Sequence, residues 1–230
     1  MVPYVWDRHK CHVGEGPTST GVENSLIYWV DILNNTVYFR DLYSDEHGQI
    51  RTDENVSFVL PTSSGELLLG TATGPDLLNK NGSLVRLPGR KEADGEDDPL
   101  PMRWNDAKVG PCGELWLGTS AYGVKSDWVG LHRLSRDGQS IRRVLSGMSL
   151  SNGMDWSPDG SIFYLIDTVE LALFAFDYRD GDISNQRTVI SFDPDSNQYP
   201  DGMCVDSHGF LWIAFWNGAC ITVSYTHLRA

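Results

Sequence analysis

Oxygen-bearing side chains stand at matching places upstream of several aromatic segments. Glu15, Asn105, Asn152 and Asp201 each come shortly before an aromatic residue, namely Trp29, Trp116, Tyr164 and Trp212, respectively. Carboxylate and amide oxygens are the ligands that hard divalent cations prefer. Asn-Gly and Asp-Gly pairs also favour tight turns without any ligand, but Glu15 is a poor turn residue. The pattern predicts one oxygen-ligand cation site, to which Ser57 or Thr62 offers a weaker further donor.

The aromatic segments themselves recur along the chain. Their centres lie near Trp29, Leu68, Trp116, Tyr164 and Trp212, and the last three intervals are equal. Each is a short apolar run bounded by Gly, Asp, Ser or Pro, which is typical of a buried strand. A period of roughly 40–50 residues with several strands indicates a β-propeller, whereas a β-sandwich would not require regular spacing. The sequence predicts an all-β fold, a β-propeller with about five blades in these 230 residues.

A propeller also explains how residues far apart in sequence could meet. The innermost strand of every blade lines the central channel, so equivalent positions of the repeat converge on the axis. We therefore expect the two carboxylates and two amides to lie together there. No stretch keeps a helical apolar stripe over several turns, so we expect no long helix. The acidic run at residues 92–98 is expected to be a solvated loop between blades.

Composition excludes several classes of partner. The formal net charge is -13, which argues against nucleic acid because phosphate binding needs a basic surface. The longest apolar run, Phe210 to Trp216, is too short to span a membrane. The N-terminus has no apolar signal region, and the four cysteines show no CxxC spacing. We expect a cytoplasmic protein with reduced thiols and with no nucleic-acid or membrane partner.

Five motifs together resemble a known family. They are Gly14-Glu-Gly-Pro17, Tyr28-Trp-Val-Asp31, Arg103-Trp-Asn-Asp106, Ser151-Asn-Gly153 and Pro200-Asp-Gly-Met203. In this order and spacing they resemble the regucalcin (senescence marker protein) / gluconolactonase family, from about residue 11 to residue 223. The resemblance implies a six-bladed β-propeller with one divalent cation on its axis. It also implies hydrolysis of sugar lactones, with organophosphates as substrates of some relatives.

The resemblance assigns a role to each candidate site residue. It implies that Glu15, Asn152 and Asp201 bind the cation and that Asp201 is also the general base. It implies that Arg103 and Asn105 contact the lactone substrate. Ca²⁺ is the expected cation, and oxygen ligands also allow Mg²⁺, Mn²⁺ and Zn²⁺. The same ligands would serve a Ca²⁺-binding regulatory propeller without turnover, or a related phosphotriester hydrolase.

The ends and one internal segment depart from the family pattern. A sixth blade at the same period would centre near position 260, so we expect one propeller domain over residues 1–230 that is incomplete at its C-terminus. Residues 224–230 match neither the repeat nor the family, and residues 1–10 are expected to lack a partner. Such a chain should be less stable and less active than a full-length relative. The segment 120–128 lacks the acidic residue that often contacts sugar hydroxyls in family lactonases, which leaves the choice of lactone open.

Overall fold

The computed structural model describes residues 4–19, 25–95, 102–121 and 129–225, and its strands form five antiparallel sheets. The first contains β1 (Gly14–Ser19), β2 (Leu26–Asp31), β3 (Thr36–Asp41) and β4 (His47–Arg51). The second contains β5 (Val56–Pro61), β6 (Leu67–Thr71), β7 (Pro75–Leu78) and β8 (Leu84–Arg86). The third contains β9 (Met102–Val109), β10 (Leu115–Ala121), β11 (Gly130–Leu134) and β12 (Ile141–Ser146).

The last two sheets complete the arrangement. The fourth contains β13 (Ser151–Trp156), β14 (Ile162–Asp167), β15 (Ala172–Arg179) and β16 (Asp182–Ser191), and the fifth contains β17 (Tyr199–Val205), β18 (Phe210–Trp216) and β19 (Cys220–Tyr225). In each sheet the strands lie side by side in chain order. The first strand of each sheet contacts the first strand of the next, from β1 through β5, β9 and β13 to β17. The sheets are therefore five blades of a β-propeller whose innermost strands surround a central channel, as the repeat predicts.

The turns between the first two strands of a blade follow local sequence. Gly65, Gly113, Gly160 and Gly209 occupy these turns with φ between 68° and 85°. Such a left-handed backbone is readily adopted only by glycine, which explains why a glycine ends each turn motif. The turn therefore fixes where each second strand begins.

Helical structure is limited within the described ranges to one short α-helix, α1 (Arg90–Asp94), and the 3₁₀ turns Ile32–Asn34 and Pro194–Ser196. This agrees with the absence of a helical pattern in the sequence. The helix corrects our expectation for one position of the acidic run, because the Asp94 side chain is not solvated; residues 96–98 lie outside the described residues. Its carboxylate accepts a hydrogen bond of 2.8 Å from Arg143 Nε and lies 3.0 Å from His132 Nε2. No helix in the described part of the chain has the length and apolar character needed to cross a membrane.

Apolar side chains fill the spaces between neighbouring blades. Val30, Val37, Val59 and Leu69 pack between the first two blades. Between the third and fourth blades the packing is mainly aromatic, with Trp116, Trp156, Phe163 and Tyr178 in mutual ring contact. Strands such as β14 are buried on both faces because a blade lies on either side, which explains their continuous apolar runs.

The outer faces of the first and fifth blades differ. On the first blade, Trp6 packs edge-on against Trp29, and His9 lies over Tyr38. Residues 4–10 therefore contact this face without forming a strand, contrary to our expectation that they would lack a partner, and residues 1–3 lie outside the described residues. On the fifth blade, Trp216 and Ile221 are 64% and 66% exposed.

The last strand reaches into the segment 224–230. Strand β19 continues to Tyr225, and so enters the segment that we expected to be off-pattern. Residues 226–230 lie outside the described residues, so the remainder of that expectation stays a prediction.

Candidate functional site

Each innermost strand carries a β-bulge. The pairs Gly14–Asp31, Val56–Thr71, Trp104–Thr119, Ser151–Asp167 and Pro200–Phe215 precede the shift in register. The shift follows directly in the last four, but in the first blade one more pair, Glu15–Val30, comes before it. The residue that follows on the inner strand is Glu15, Ser57, Asn105, Asn152 or Asp201, respectively. A bulge redirects side chains relative to a regular ladder. Asn105, Asn152 and Asp201 are therefore equivalent bulge residues, and the second blade contributes Ser57 rather than Thr62 at this position. Glu15 follows the corresponding pair in the first blade but is the last paired residue before its bulge.

Asn152 is held in one orientation by a chain of hydrogen bonds between blades. Thr168 Oγ1 donates to the carbonyl oxygen of Pro200 at 2.7 Å. Because its hydrogen is used there, the hydroxyl must accept from Asn152 Nδ2, 3.0 Å away. Asn152 Nδ2 also donates to Asp201 Oδ1 at 2.5 Å. With both amide hydrogens donated, the side-chain oxygen Oδ1 of Asn152 remains to accept or to ligate.

Asn105 has a different set of partners, which also fix its amide. Its Nδ2 donates to the carbonyl oxygen of Ser151 at 2.9 Å, and its Oδ1 accepts from Arg103 Nη1 at 2.6 Å. Arg103 Nη1 also donates to the carbonyl oxygen of Trp104 at 3.0 Å. The side-chain oxygen of Asn105 is thus engaged with a cation of the chain itself. Arg103 and Asn105 form a unit distinct from the Asn152–Asp201 pair.

Three carboxyl groups face one another near the axis. Burial, together with the charges of Asp201 and Asp106, raises the pKa of Glu15 to about 8, although Arg103 opposes the shift. Burial likewise raises the pKa of Asp106 to about 6, against a hydrogen bond from the Ala107 N–H. The pKa of Asp201 is also raised by burial, with Asn152 and Arg103 acting in the opposite direction. The group therefore carries unneutralised negative charge whenever all three are ionised.

A cavity of about 750 Å³ runs along this group. Glu15, Asp106 and Asp201 line it directly, and Trp212 and Ile221 extend its wall along the fifth blade. Within the described ranges, no three His, Cys, Asp or Glu side chains are arranged to hold a metal ion by themselves. A cation here would need amide as well as carboxylate oxygens. The oriented Oδ1 of Asn152 and the excess of carboxylates fit that requirement.

Two residues at this site escaped the sequence reasoning. Asp106 lies in the Arg103–Asp106 motif, but the site role was predicted for its neighbour Asn105, which occupies the equivalent register position. Thr168 follows the end of β14, and its hydroxyl joins the fourth and fifth blades. The position of Thr168, a polar residue directly after a buried strand, could have indicated its role from the sequence. The segment 120–128, where an acidic contact to sugar is missing, falls largely outside the described residues, which resume at 129.

The fold and the site together define a class of protein. It is a β-propeller in which acidic and amide side chains converge on the axis, where their oxygens are suited to binding a cation. Comparison with known proteins is more specific. Residues 13–227 match the family described as "SMP-30/Gluconolactonase/LRE-like region". The chain belongs to this family.

Individual relatives support the assignment. The chain is 34% identical over 210 residues to "Putative sugar lactone lactonase YvrE" of Bacillus subtilis, covering 90% of this chain and 69% of the relative. It is 35% identical over 217 residues to regucalcin of Homo sapiens, covering 91% of this chain and 70% of the relative. Among solved structures, a calcium-binding protein, regucalcin, from Agrobacterium tumefaciens aligns with a TM-score of 0.85 at 23% identity, over 96% of this chain and 73% of that one. The last similarity concerns the fold alone.

Proposed function

We propose that this chain hydrolyses sugar lactones with the help of one divalent cation, Ca²⁺ first among the candidates, bound by Glu15, Asn152 and Asp201. The observation that carries the proposal is the convergence of these residues at the axis: Asn152 and Asp201 occupy the bulges of β13 and β17 and share a hydrogen bond, and Glu15, directly before the bulge of β1, feels the charge of Asp201. Family membership supports the lactonase activity, and one relative is named for it. Ca²⁺ is favoured because oxygen is the only donor type among the proposed ligands.

The roles of the chain's own residues follow from lactone chemistry. Hydrolysis of a cyclic ester develops negative charge on the carbonyl oxygen while water attacks the carbonyl carbon. A bound divalent cation would polarise that oxygen and lower the pKa of water. Asp201 Oδ1 accepts from the Asn152 amide, and we assign its second lone pair to the cation. The other oxygen, Oδ2, then takes the proton of the attacking water. The ring opens when the carbon–oxygen bond of the ester breaks and the alkoxide oxygen takes up a proton.

Arg103 and Asn105 are assigned to substrate orientation. The hydrogen bond from Arg103 to Asn105 restrains a long side chain that would otherwise sample many rotamers. A guanidinium restrained in this way can donate to the carbonyl or hydroxyl oxygens of a sugar lactone and lower the entropic cost of alignment. The cavity that Glu15, Asp106 and Asp201 line is large enough for such a ligand, since small-molecule sites commonly span about 300–1,000 Å³. Arg103 and Asn105 are not among its lining residues, so a substrate would have to extend beyond it to reach them.

The test combines turnover with cation binding in the same preparations. Acid release from a panel of sugar lactones is followed by pH-stat titration with Ca²⁺, Mg²⁺, Mn²⁺ or Zn²⁺ and with a chelator. Binding of each cation is measured by calorimetry. Asp201→Ala and Asn152→Ala are expected to abolish both cation binding and turnover. Glu15→Gln should weaken binding strongly, because it removes one of the two formal charges among the proposed ligands.

Ser57→Ala is the matched control. Ser57 occupies the same bulge position, but its hydroxyl donates to the carbonyl oxygen of Gly70 at 2.9 Å. We expect cation affinity to stay within about twofold of wild type. Wild-type affinity in both Asp201→Ala and Asn152→Ala would contradict the axial site. Cation binding with no turnover of any lactone would favour a regulatory protein, and turnover of phosphotriesters alone would favour the related hydrolase.

A further inference from the structure

Asp31 is a buried carboxylate at the end of β2 that the proposed reaction does not use. It is fully buried, and its two oxygens accept from two consecutive backbone N–H groups of the segment leading into β1. His12 N donates to Oδ2 at 2.8 Å, and Val13 N donates to Oδ1 at 3.1 Å. Glu15 lies two positions beyond Val13. Asp31 therefore fixes the backbone from which the Glu15 side chain projects.

Asp167 repeats this arrangement in the fourth blade. It is also buried, at the end of β14. Ser149 N donates to its Oδ2 at 2.7 Å, and Leu150 N donates to its Oδ1 at 3.1 Å. Asn152 lies two positions beyond Leu150. The two carboxylates thus accept hydrogen bonds from equivalent pairs of backbone N–H groups, at nearly identical distances.

The other three blades have no carboxylate at this position. Thr71 and Thr119 occupy the same pairing position in the second and third blades. Thr71 donates to the carbonyl oxygen of Gly74 in the loop after β6, and Thr119 bonds to the backbone of Gly130, the first residue of β11. In the fifth blade the position is Phe215. Among these five blades, only the first and the fourth therefore carry a carboxylate here. In these two blades, the residue that follows its pairing partner on the innermost strand is a proposed ligand, Glu15 or Asn152.

We propose that Asp31 and Asp167 are positioning residues that hold Glu15 and Asn152 in the geometry needed to bind the axial cation. The inference rests on the proposed function. Each carboxylate accepts charge-assisted hydrogen bonds from two backbone N–H groups of the segment that leads into the innermost strand. Asparagine in its place would present one acceptor and one N–H group, so one backbone donor would face another donor. The segment must then shift, and the ligand side chain that follows moves with it.

The experiment measures Ca²⁺ affinity by calorimetry in Asp31→Asn and Asp167→Asn, well below each variant's unfolding temperature. Loss of a residue that orients a ligand typically weakens metal binding about 10- to 100-fold, and we expect a loss in that range for each variant. Initial-rate kinetics at saturating Ca²⁺ should recover most of kcat, since neither side chain touches the substrate. The free energy of unfolding is measured in parallel.

Asp41→Asn is the matched control. Asp41, at the end of β3, accepts from Tyr43 N at 2.8 Å and Ser44 N at 2.6 Å, but this loop leads to β4 and not to an innermost strand. We expect a similar loss of stability with Ca²⁺ affinity within about twofold of wild type. Unchanged affinity in both Asp31→Asn and Asp167→Asn, or an equal loss in Asp41→Asn, would overturn the inference alone. A wild-type chain that binds no divalent cation would overturn the proposed function and this inference together.

Discussion

Replacing Gly153 with alanine should disturb the candidate site through backbone contact alone. Gly153 follows Asn152 in the bulge of β13. A Cβ there would lie 2.5 Å from Met203 N and 2.6 Å from the carbonyl oxygen of Asp201. Ordinary contact begins near 3.4 Å, so β13 and β17 would have to separate by about 0.9 Å. The backbone atoms of β17 cannot rotate away as a flexible side chain could.

This displacement has two measurable effects. Overpacking of this kind costs about 1–3 kcal/mol, which urea denaturation would report as a lower free energy of unfolding. The shift also separates Asn152 from Asp201, whose side chains now meet at 2.5 Å. A misplacement of about 1 Å at a reacting centre can lower a rate about 100-fold, and we expect a loss of that order in lactone turnover.

Gly202→Ala separates the contact from the substitution itself. Gly202 is the equivalent bulge residue of β17, and a Cβ there would meet no atom within 4 Å. Its unfolding free energy should stay the same or rise by up to about 1 kcal/mol, because alanine restricts the unfolded chain. Equal stabilities for Gly153→Ala and wild type, or a loss as large in Gly202→Ala, would refute the reasoning.

Three other substitutions examine separate parts of the molecule. Arg103→Ala should raise KM for lactones about tenfold or more while Ca²⁺ affinity stays within about threefold, because a guanidinium cannot ligate a cation; a parallel loss of Ca²⁺ affinity would contradict this. Burial would raise the pKa of Asp94, but hydrogen bonds from His132 and Arg143 lower it to about 2. The hydrogen bonds of the Asp94 carboxylate with His132 and Arg143 therefore stabilise the fold above about pH 4. This contribution of roughly 2 kcal/mol is lost as the pH falls towards 2 and the carboxylate is protonated. Asp94→Asn should lower the free energy of unfolding at pH 7 and flatten its decline between pH 4 and 2, as measured by urea denaturation. The same pH dependence in the variant and the wild type would argue against this role of Asp94. Trp216→Lys should reduce any self-association of this chain seen by sedimentation, because Trp216 is 64% exposed on the fifth blade; unchanged sedimentation in an associating preparation would exclude that face.

The fold was predictable where its cause is local. Glycine turns and apolar runs recur within each repeat, so the period indicates the blades directly. The register of Glu15 was less obvious, because it stands further ahead of Trp29 than its counterparts stand ahead of their own aromatic residues. Gly14 pairs with Asp31 as Ser151 pairs with Asp167, which places Glu15 next to the corresponding pair, although the bulge of β1 begins one position later. That pairing depends on strand register rather than on sequence distance.

Other features required long-range contacts that no local pattern reveals. Asp94 looked like part of a solvated acidic run, yet it is buried by partners far along the chain, His132 and Arg143. The grip of Asp167 on the segment before Asn152 likewise joins the two ends of a hairpin. Residue type predicted which side chains could act. Only the packed chain shows which backbone holds them.

The repeated bulges make the channel lining exchangeable one blade at a time. The ladder pairs on either side of each bulge are formed by backbone atoms, so the frame does not depend on which side chain stands in it. The present set is one glutamate, one serine, two asparagines and one aspartate. An acid in place of Ser57 would add a unit of negative charge, and an amide in place of Glu15 would remove one, with the blades unchanged. A lineage or a designer could therefore alter cation and substrate preference by single substitutions on a constant scaffold.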